Sequence, residues 1–187
     1  KSEGAARLAA LITLAESEPG IPIMPSDLDA DPWLLNVSNG TLDLRTGELR
    51  EHRRSDLITK LAPVEYRADA TSELWSRFLE TATGCDAELA AYLARVVGYG
   101  LQGTAREKCF FFLFGPPDTS KSTFVDAVAG ALGDYHLAAA FETWLQQSNT
   151  GGNRDDLVRL AGVRIVTSVE VRPGVKFDAA LVKRITG

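Results

Sequence analysis

One stretch constrains this chain more than any other: Lys108-Cys109-Phe110-Phe111-Phe112-Leu113-Phe114-Gly115-Pro116-Pro117-Asp118-Thr119-Ser120-Lys121-Ser122-Thr123. The continuous apolar run Cys109–Phe114 predicts a strand buried on both faces. Gly115 ends it, a tight polar loop follows, and Lys121-Ser122-Thr123 opens the helical pattern Phe124-Val125-Asp126-Ala127-Val128-Ala129. Strand, glycine-led loop, Lys-Ser and helix together are the layout of a phosphate-binding loop. Backbone N–H groups of such a loop and of the helix N-terminus converge on one concavity and carry partial positive charge. In that reading residues Gly115, Pro116, Pro117, Asp118, Thr119, Ser120, Lys121, Ser122 and Thr123 line an ATP site. Lys121 faces the β and γ phosphates, and the Ser122 hydroxyl is placed to ligand Mg²⁺.

The pattern departs from its template just before the lysine, where Ser120 stands in place of glycine. Glycine is favoured there because the turn needs a left-handed residue, which costs other residues roughly 1–2 kcal/mol. A strained but working cradle is the expectation.

Length and composition bound the rest. With 187 residues, 45% hydrophobic and 24% charged, the chain can bury a core as one large domain or two small ones. A net charge of −5 argues against a surface that coats nucleic acid throughout, while leaving room for a local basic patch or a ring with a basic channel. Cys85 and Cys109 lack metal-ligand spacing and suit a reducing cytoplasm, with Cys109 expected as a small core residue of the strand. The apolar stretch from Leu8 to Leu14 is too short to cross a membrane. Starting at Lys1 and stopping at Gly187, the chain reads as a fragment of a longer polypeptide.

Taken in order, residues 3–17 predict a helix with an apolar stripe of Leu8, Leu11 and Ile12, closed by Pro19-Gly20. A proline-bearing linker leads to Trp33. Short alternating segments separated by Asn39-Gly40 and Thr46-Gly47 predict β-hairpins from Trp33 to Arg50. Further short strands are expected at residues 56–60 and 64–66, and His52 reads as a surface imidazole. Thr71 or Ser72 caps a helix that buries Leu74, Trp75, Phe78 and Leu79. A second helix runs from Asp86 to about Val97, ended by Gly98-Tyr99-Gly100. The domain boundary falls near Thr104.

Beyond the loop helix, which runs to about Leu132, a short helix is expected at residues 141–145 and a mobile loop from Gln146 through Asn153. Another short helix covers residues 155–160. Val163-Arg164-Ile165-Val166-Thr167-Ser168-Val169-Glu170 predicts a second buried strand that ends in an acid. Parallel sheets bind ligands at their carboxyl edge, so Glu170 is the candidate to hold the Mg²⁺ shell or orient the attacking water. Asp155 and Asp156 read as helix N-terminal charge. The closing segment, residues 177–187, predicts a helix whose Lys183 and Arg184 either contact a phosphate backbone or simply match the helix dipole.

Five stretches in this order resemble the primase-associated helicases of phages, plasmids and poxviruses, members of helicase superfamily 3 within the AAA+ ATPases. They are Asn36–Leu44, Tyr92–Tyr99, Gly115–Thr123, Leu160–Glu170 and Leu181–Gly187, and the resemblance covers roughly residues 33 to 187. It implies an α+β N-terminal domain followed by a partial α/β P-loop (AAA+-like) parallel-sheet domain. Residues 1–32 would be a helix and linker from a preceding region, 33–104 the small domain before the motor, and 105–187 the first part of the motor. It further implies ATP and Mg²⁺ as cofactors, with Lys121 and Glu170 catalytic and Ser122 and Glu170 on the metal. Single-stranded or forked DNA, a homo-hexameric ring and a fused or associated primase are the implied partners, in a bacterial cytoplasm. Such a motor's sensor residue and arginine finger would lie past Gly187, so the fragment alone is expected to be a poor ATPase. Two other readings use the same residues: a P-loop phosphotransferase, and a replisome interaction module with a degenerate loop.

Overall fold

The computed structural model describes residues 4–146, 155–169 and 174–187. The first helix, α1 (Ala5–Ala15), follows the alanine- and leucine-rich pattern but buries nothing: Leu8, Leu11 and Ile12 are all exposed. The hairpin signals are realised as a three-stranded antiparallel meander of β1 (Leu34–Val37), β2 (Gly40–Asp43) and β3 (Glu48–Arg50). Alternation sets its inner face, with Leu35 and Val37 buried opposite Leu42. Residues 56–60 and 64–66 form no strands; a 3-10 turn at Arg54–Asp56 and an isolated bridge between Val37 and Ala62 take their place. Here Asn39 settles the matter. Its side-chain amide donates to the Tyr66 carbonyl and accepts from the Tyr66 N–H, both at 2.9 Å, so a side chain supplies what a ladder would have.

Ser72 caps α2 (Glu73–Ala82) by accepting from the Trp75 N–H at 3.1 Å. The expected buried face is only partly covered. Leu74 is exposed, while Trp75 stacks on Phe78 and on Phe124 at 5.1 and 5.9 Å. The next helix, α3 (Ala87–Leu101), runs through the glycines that were expected to stop it. A mid-helix glycine costs only about 1 kcal/mol, and this one is put to use. A Cβ on Gly100 would lie 2.6 Å from the Ile165 side chain, so its absence lets the second sheet pack against the helix.

Helix α4 (Lys121–Leu132) leads through a 3-10 turn at Gly133–Tyr135 into β4 (His136–Ala138). A 3-10 turn at Phe141–Trp144 and α5 (Asp155–Val158) precede β5 (Ile165–Thr167), which pairs in parallel with β4. The last helix, α6 (Ala179–Thr186), is capped by Asp178. The fold is therefore mixed α/β with two small sheets. The expected loop at residues 146–153 lies outside the described residues except for Gln146, whose N–H donates to the Lys176 carbonyl.

The Cys109–Phe114 run is the main correction. It forms no strand, and among the described residues nothing hydrogen-bonds along it. Cys109 is exposed rather than a core residue, and Phe114 is 91% exposed. A strand needs a neighbour to satisfy its N–H and C=O groups, and an apolar run alone cannot supply one. The segment is held instead through its rings. Phe111 meets Tyr92 and Tyr99 of α3 edge-on at 6.5 and 6.3 Å, and Phe110 packs on Phe112 and Phe177.

Two apolar clusters hold the described residues together. One joins Leu35, Val37, Leu42, Ala62, Leu132 and Tyr135, so the meander and the end of α4 share a core. The other joins Phe141, Trp144 and Leu181. Between the first cluster and the second sheet sits Arg164. Its guanidinium donates to the carbonyls of Leu101 and Leu34, and lies 4.8 Å over the Tyr135 ring. Burial draws its pKa below the usual arginine value, yet the group stays charged.

Replacing Arg164 with Met should cost roughly 2–3 kcal/mol in urea denaturation, because two half-buried carbonyls lose a charged donor. Arg164→Lys should recover little, since an ammonium lacks the planar fork that spans both carbonyls. A loss below half a kcal/mol for either variant would remove Arg164 from this role.

Acid should weaken the fold in two steps. Burial lowers the His136 pKa, with Asp126 opposing. Below about pH 6.5 the unfolded chain therefore binds a proton that the folded chain takes up only at lower pH, and stability falls. Asp56 is lowered chiefly by its hydrogen bond from Arg50, with both N–O distances under 3 Å (2.8 and 2.9 Å). Its contribution is complete above the ordinary carboxylate pKa of about 3.9 and is lost as pH falls through the depressed folded value. Denaturation midpoints against pH should show both limbs, with Asp56→Asn flattening only the lower one.

Candidate phosphate-binding site

The expected loop is set between two fixed ends. On its far side, α4 is pinned at its C-terminus. The Asp134 N–H donates to the Leu61 carbonyl and its carboxylate accepts from the Leu61 N–H, both at 3.1 Å. The Tyr135 hydroxyl accepts from the Asn36 N–H at 3.0 Å and donates to the Lys60 carbonyl at 3.3 Å. Gly133 makes this approach possible, because a Cβ there would fall 2.4 Å from Pro63. The start of the loop follows the aromatic segment lodged against α3.

At the N-terminus of α4, Ser120 takes φ 62° and ψ 12°, the left-handed conformation its position requires. Asp118 is also left-handed, with φ 58°. Two non-glycine residues in that region within three positions make a strained turn, held in shape by what surrounds it. The Ser120 side chain makes no capping hydrogen bond, although its carbonyl accepts from the Phe124 N–H at 3.0 Å. The first-turn N–H groups of α4 thus have no intrahelical partner and no side-chain cap. Ser122 and Thr123 are exposed, and among the described residues their hydroxyls bond to no protein group. Pro116 and Pro117 lack N–H groups, so after Gly115 the backbone donors of this cradle resume only at Asp118.

Lys121 turns inward. Its ammonium donates to the Gly115 carbonyl at 3.1 Å, the Pro116 carbonyl at 2.6 Å and the Thr119 hydroxyl at 2.8 Å. The Thr119 hydroxyl in turn donates to the Pro116 carbonyl at 2.8 Å. Gly115 through Thr123 therefore form one local assembly at a helix N-terminus with a lysine at its centre. The donor set fits a polyphosphate, with uncapped amides, one ammonium and free hydroxyls on one turn.

The other candidates lie on other elements or outside the described residues. Glu170 lies outside the described residues. β5, which leads towards it, ends at Thr167, where the hydroxyl meets the His136 ring at 2.9 Å. The backbone of Asp155 and Asp156 opens α5. Lys183 and Arg184 are exposed in the last turn of α6. His52 is exposed, and no cluster of metal-ligating side chains occurs among the described residues. No described helix is long and apolar enough to cross a membrane. Two contacts went unread in the sequence, although Thr119 already stood among the expected loop residues. Thr119 closes the lysine's set of partners, and its spacing three residues after Pro116 is that of a hydroxyl turn. Arg164 stood as a lone charge in an apolar run, which signals a buried partner.

Replacing Ser120 with Gly should raise stability by roughly 1 kcal/mol, because the left-handed turn ceases to be strained. An unchanged or lower thermal midpoint would show that the strain is absent.

Comparison with known proteins adds a family context. Residues 1–84 match the family described as D5 N terminal like. A protein of Acanthamoeba polyphaga mimivirus named "Putative helicase" is 23% identical over 166 residues, which is 86% of this chain and 17% of that protein. The chain thus spans about a sixth of the relative's length. The resemblance to D5-type primase-associated helicases is borne out, and the family match reaches back to residue 1. The loop lies outside the span matched to the family.

Proposed function

We propose that this chain is part of an ATP-dependent DNA helicase of the superfamily 3, primase-associated type, with a Mg·ATP site at Gly115–Thr123. The observation that carries the reading is the loop itself: a left-handed residue before Lys121, uncapped amides of α4 and an ammonium among them. The family match over residues 1–84 and the likeness to a viral protein named as a helicase support it.

In this reading the amides from Asp118 to Thr123 cradle the phosphates. Lys121 neutralises charge on the β and γ groups, and the Ser122 hydroxyl, with Thr123 beside it, holds Mg²⁺. Glu170 supplies the acid that orients water. Bound Mg·ATP provides the free energy of phosphoanhydride hydrolysis, which a homo-hexameric ring converts into movement along single-stranded DNA. Lys183 and Arg184 contribute contacts to the DNA phosphates, and a primase is fused or associated.

Titration of labelled Mg·ATP into the 187-residue chain should show micromolar-to-millimolar binding, weakened at least about tenfold in Lys121→Ala through loss of a charge-assisted contact. The same chain should show little ATPase and no unwinding. Equal binding by both proteins would remove the loop from the site, and robust unwinding by residues 1–187 would contradict the assignment of a partial motor.

A further inference from the structure

Resting on the reading of the loop as a phosphate site, the geometry points to Thr119 as a latch that holds Lys121 shut in the nucleotide-free protein. An ammonium has three hydrogens. Lys121 has three acceptors at hydrogen-bond distance, at 3.1, 2.6 and 2.8 Å, so no hydrogen remains for a phosphate oxygen. Two of these acceptors are backbone carbonyls that belong to the loop whatever its sequence. The third is the Thr119 hydroxyl, and it is the only one a mutation can remove without changing the backbone.

The direction of each bond is fixed. The Thr119 hydrogen goes to the Pro116 carbonyl at 2.8 Å, so its oxygen faces Lys121 as an acceptor. Pro116 O, Thr119 Oγ1 and Lys121 Nζ thus close a small ring in which every hydrogen has one destination. The two prolines bias the loop the same way, since they present carbonyls without any compensating N–H. This mouth is rich in acceptors and attracts the Lys121 ammonium. To donate to a phosphate oxygen, Lys121 must give up at least one of these three partners. The apparent affinity is then reduced by the fraction of molecules in which the lysine is free. Thr119 is a positioning residue: it acts on the ligand only through Lys121.

The test compares Thr119→Val and Thr119→Ser in the 187-residue chain. Valine keeps the branched shape and removes the hydroxyl, whereas serine keeps the hydroxyl. The first readout is the ¹⁵N–¹H signal of the Lys121 ammonium without nucleotide, visible only when hydrogen bonds slow its exchange with water. It should be present in the wild type and in Thr119→Ser and lost in Thr119→Val. The second readout is Mg·ATP affinity, which should rise about three- to tenfold in Thr119→Val, since a hydrogen bond to a charged group at an exposed site is worth that much, and stay at the wild-type value in Thr119→Ser.

A wild type without a protected Lys121 signal, or a signal that survives in Thr119→Val, overturns the latch. So does wild-type binding that depends on Lys121 but does not tighten in Thr119→Val; that result leaves the phosphate site standing. Absence of binding in the wild type and in Thr119→Val alike overturns both readings. Binding that appears only in Thr119→Val supports the latch in its strongest form.

Discussion

The described residues depend on one half-buried charge. Arg164 reaches the last residue of α3 and the first residue of β1 with one guanidinium, and its own N–H donates to the Tyr135 carbonyl at 2.9 Å. A planar fork holds two carbonyls from different elements in a fixed geometry, which an aliphatic side chain cannot do and an ammonium, a single point of charge, matches only where the two acceptors lie close together. The Tyr135 ring beneath it repays part of the desolvation through its negative face. The meander, α3 and the parallel pair are therefore tied to one another through a single side chain, and the apolar cluster around Leu35 and Tyr135 fills in around it.

From that junction the placement of the loop follows. Tyr135 ends the 3-10 turn after α4, and its hydroxyl is held by Asn36 and Lys60. Asn36 belongs to the stretch Asn36–Leu44 that first suggested a family resemblance. In the fold this stretch is structural: it forms the hairpin, fixes Tyr66 through Asn39 and receives Tyr135. Its chemistry lies in building the platform on which α4 stands rather than in touching a ligand.

Much of this was legible in the sequence, and the exceptions share a cause. Local signals were sufficient where a side chain acts on its own backbone: the Asn-Gly and Thr-Gly turns, the Ser72 cap, and the left-handed need at Ser120. They failed where the outcome depends on a neighbour. Six apolar residues from Cys109 to Phe114 carry the composition of an interior strand, but composition does not supply a hydrogen-bonding partner. Gly98 and Gly100 looked like a helix stop, because the use of Gly100, as room for Ile165, is a tertiary fact. Of the candidate site, Gly115 to Thr123 stood out through spacing. The inward turn of Lys121 did not, because it follows from carbonyl directions and from a Thr119 hydroxyl whose partner the motif does not specify.

Helix α4 is a rod of 12 residues, about 18 Å long, and hydrogen-bonded rods do not shorten. Its first turn carries Lys121, while its far end is bolted to residues 60–63 by Asp134 and Tyr135 and touches the meander through Asn36. A helix mounted this way behaves as a lever with its fulcrum at Gly133. Displacement at the loop reaches the meander as tilt, magnified or reduced by where the fulcrum sits. The same seam that stabilises the fold thus sets the mechanical gearing between the loop and the region matched to the D5 N-terminal family.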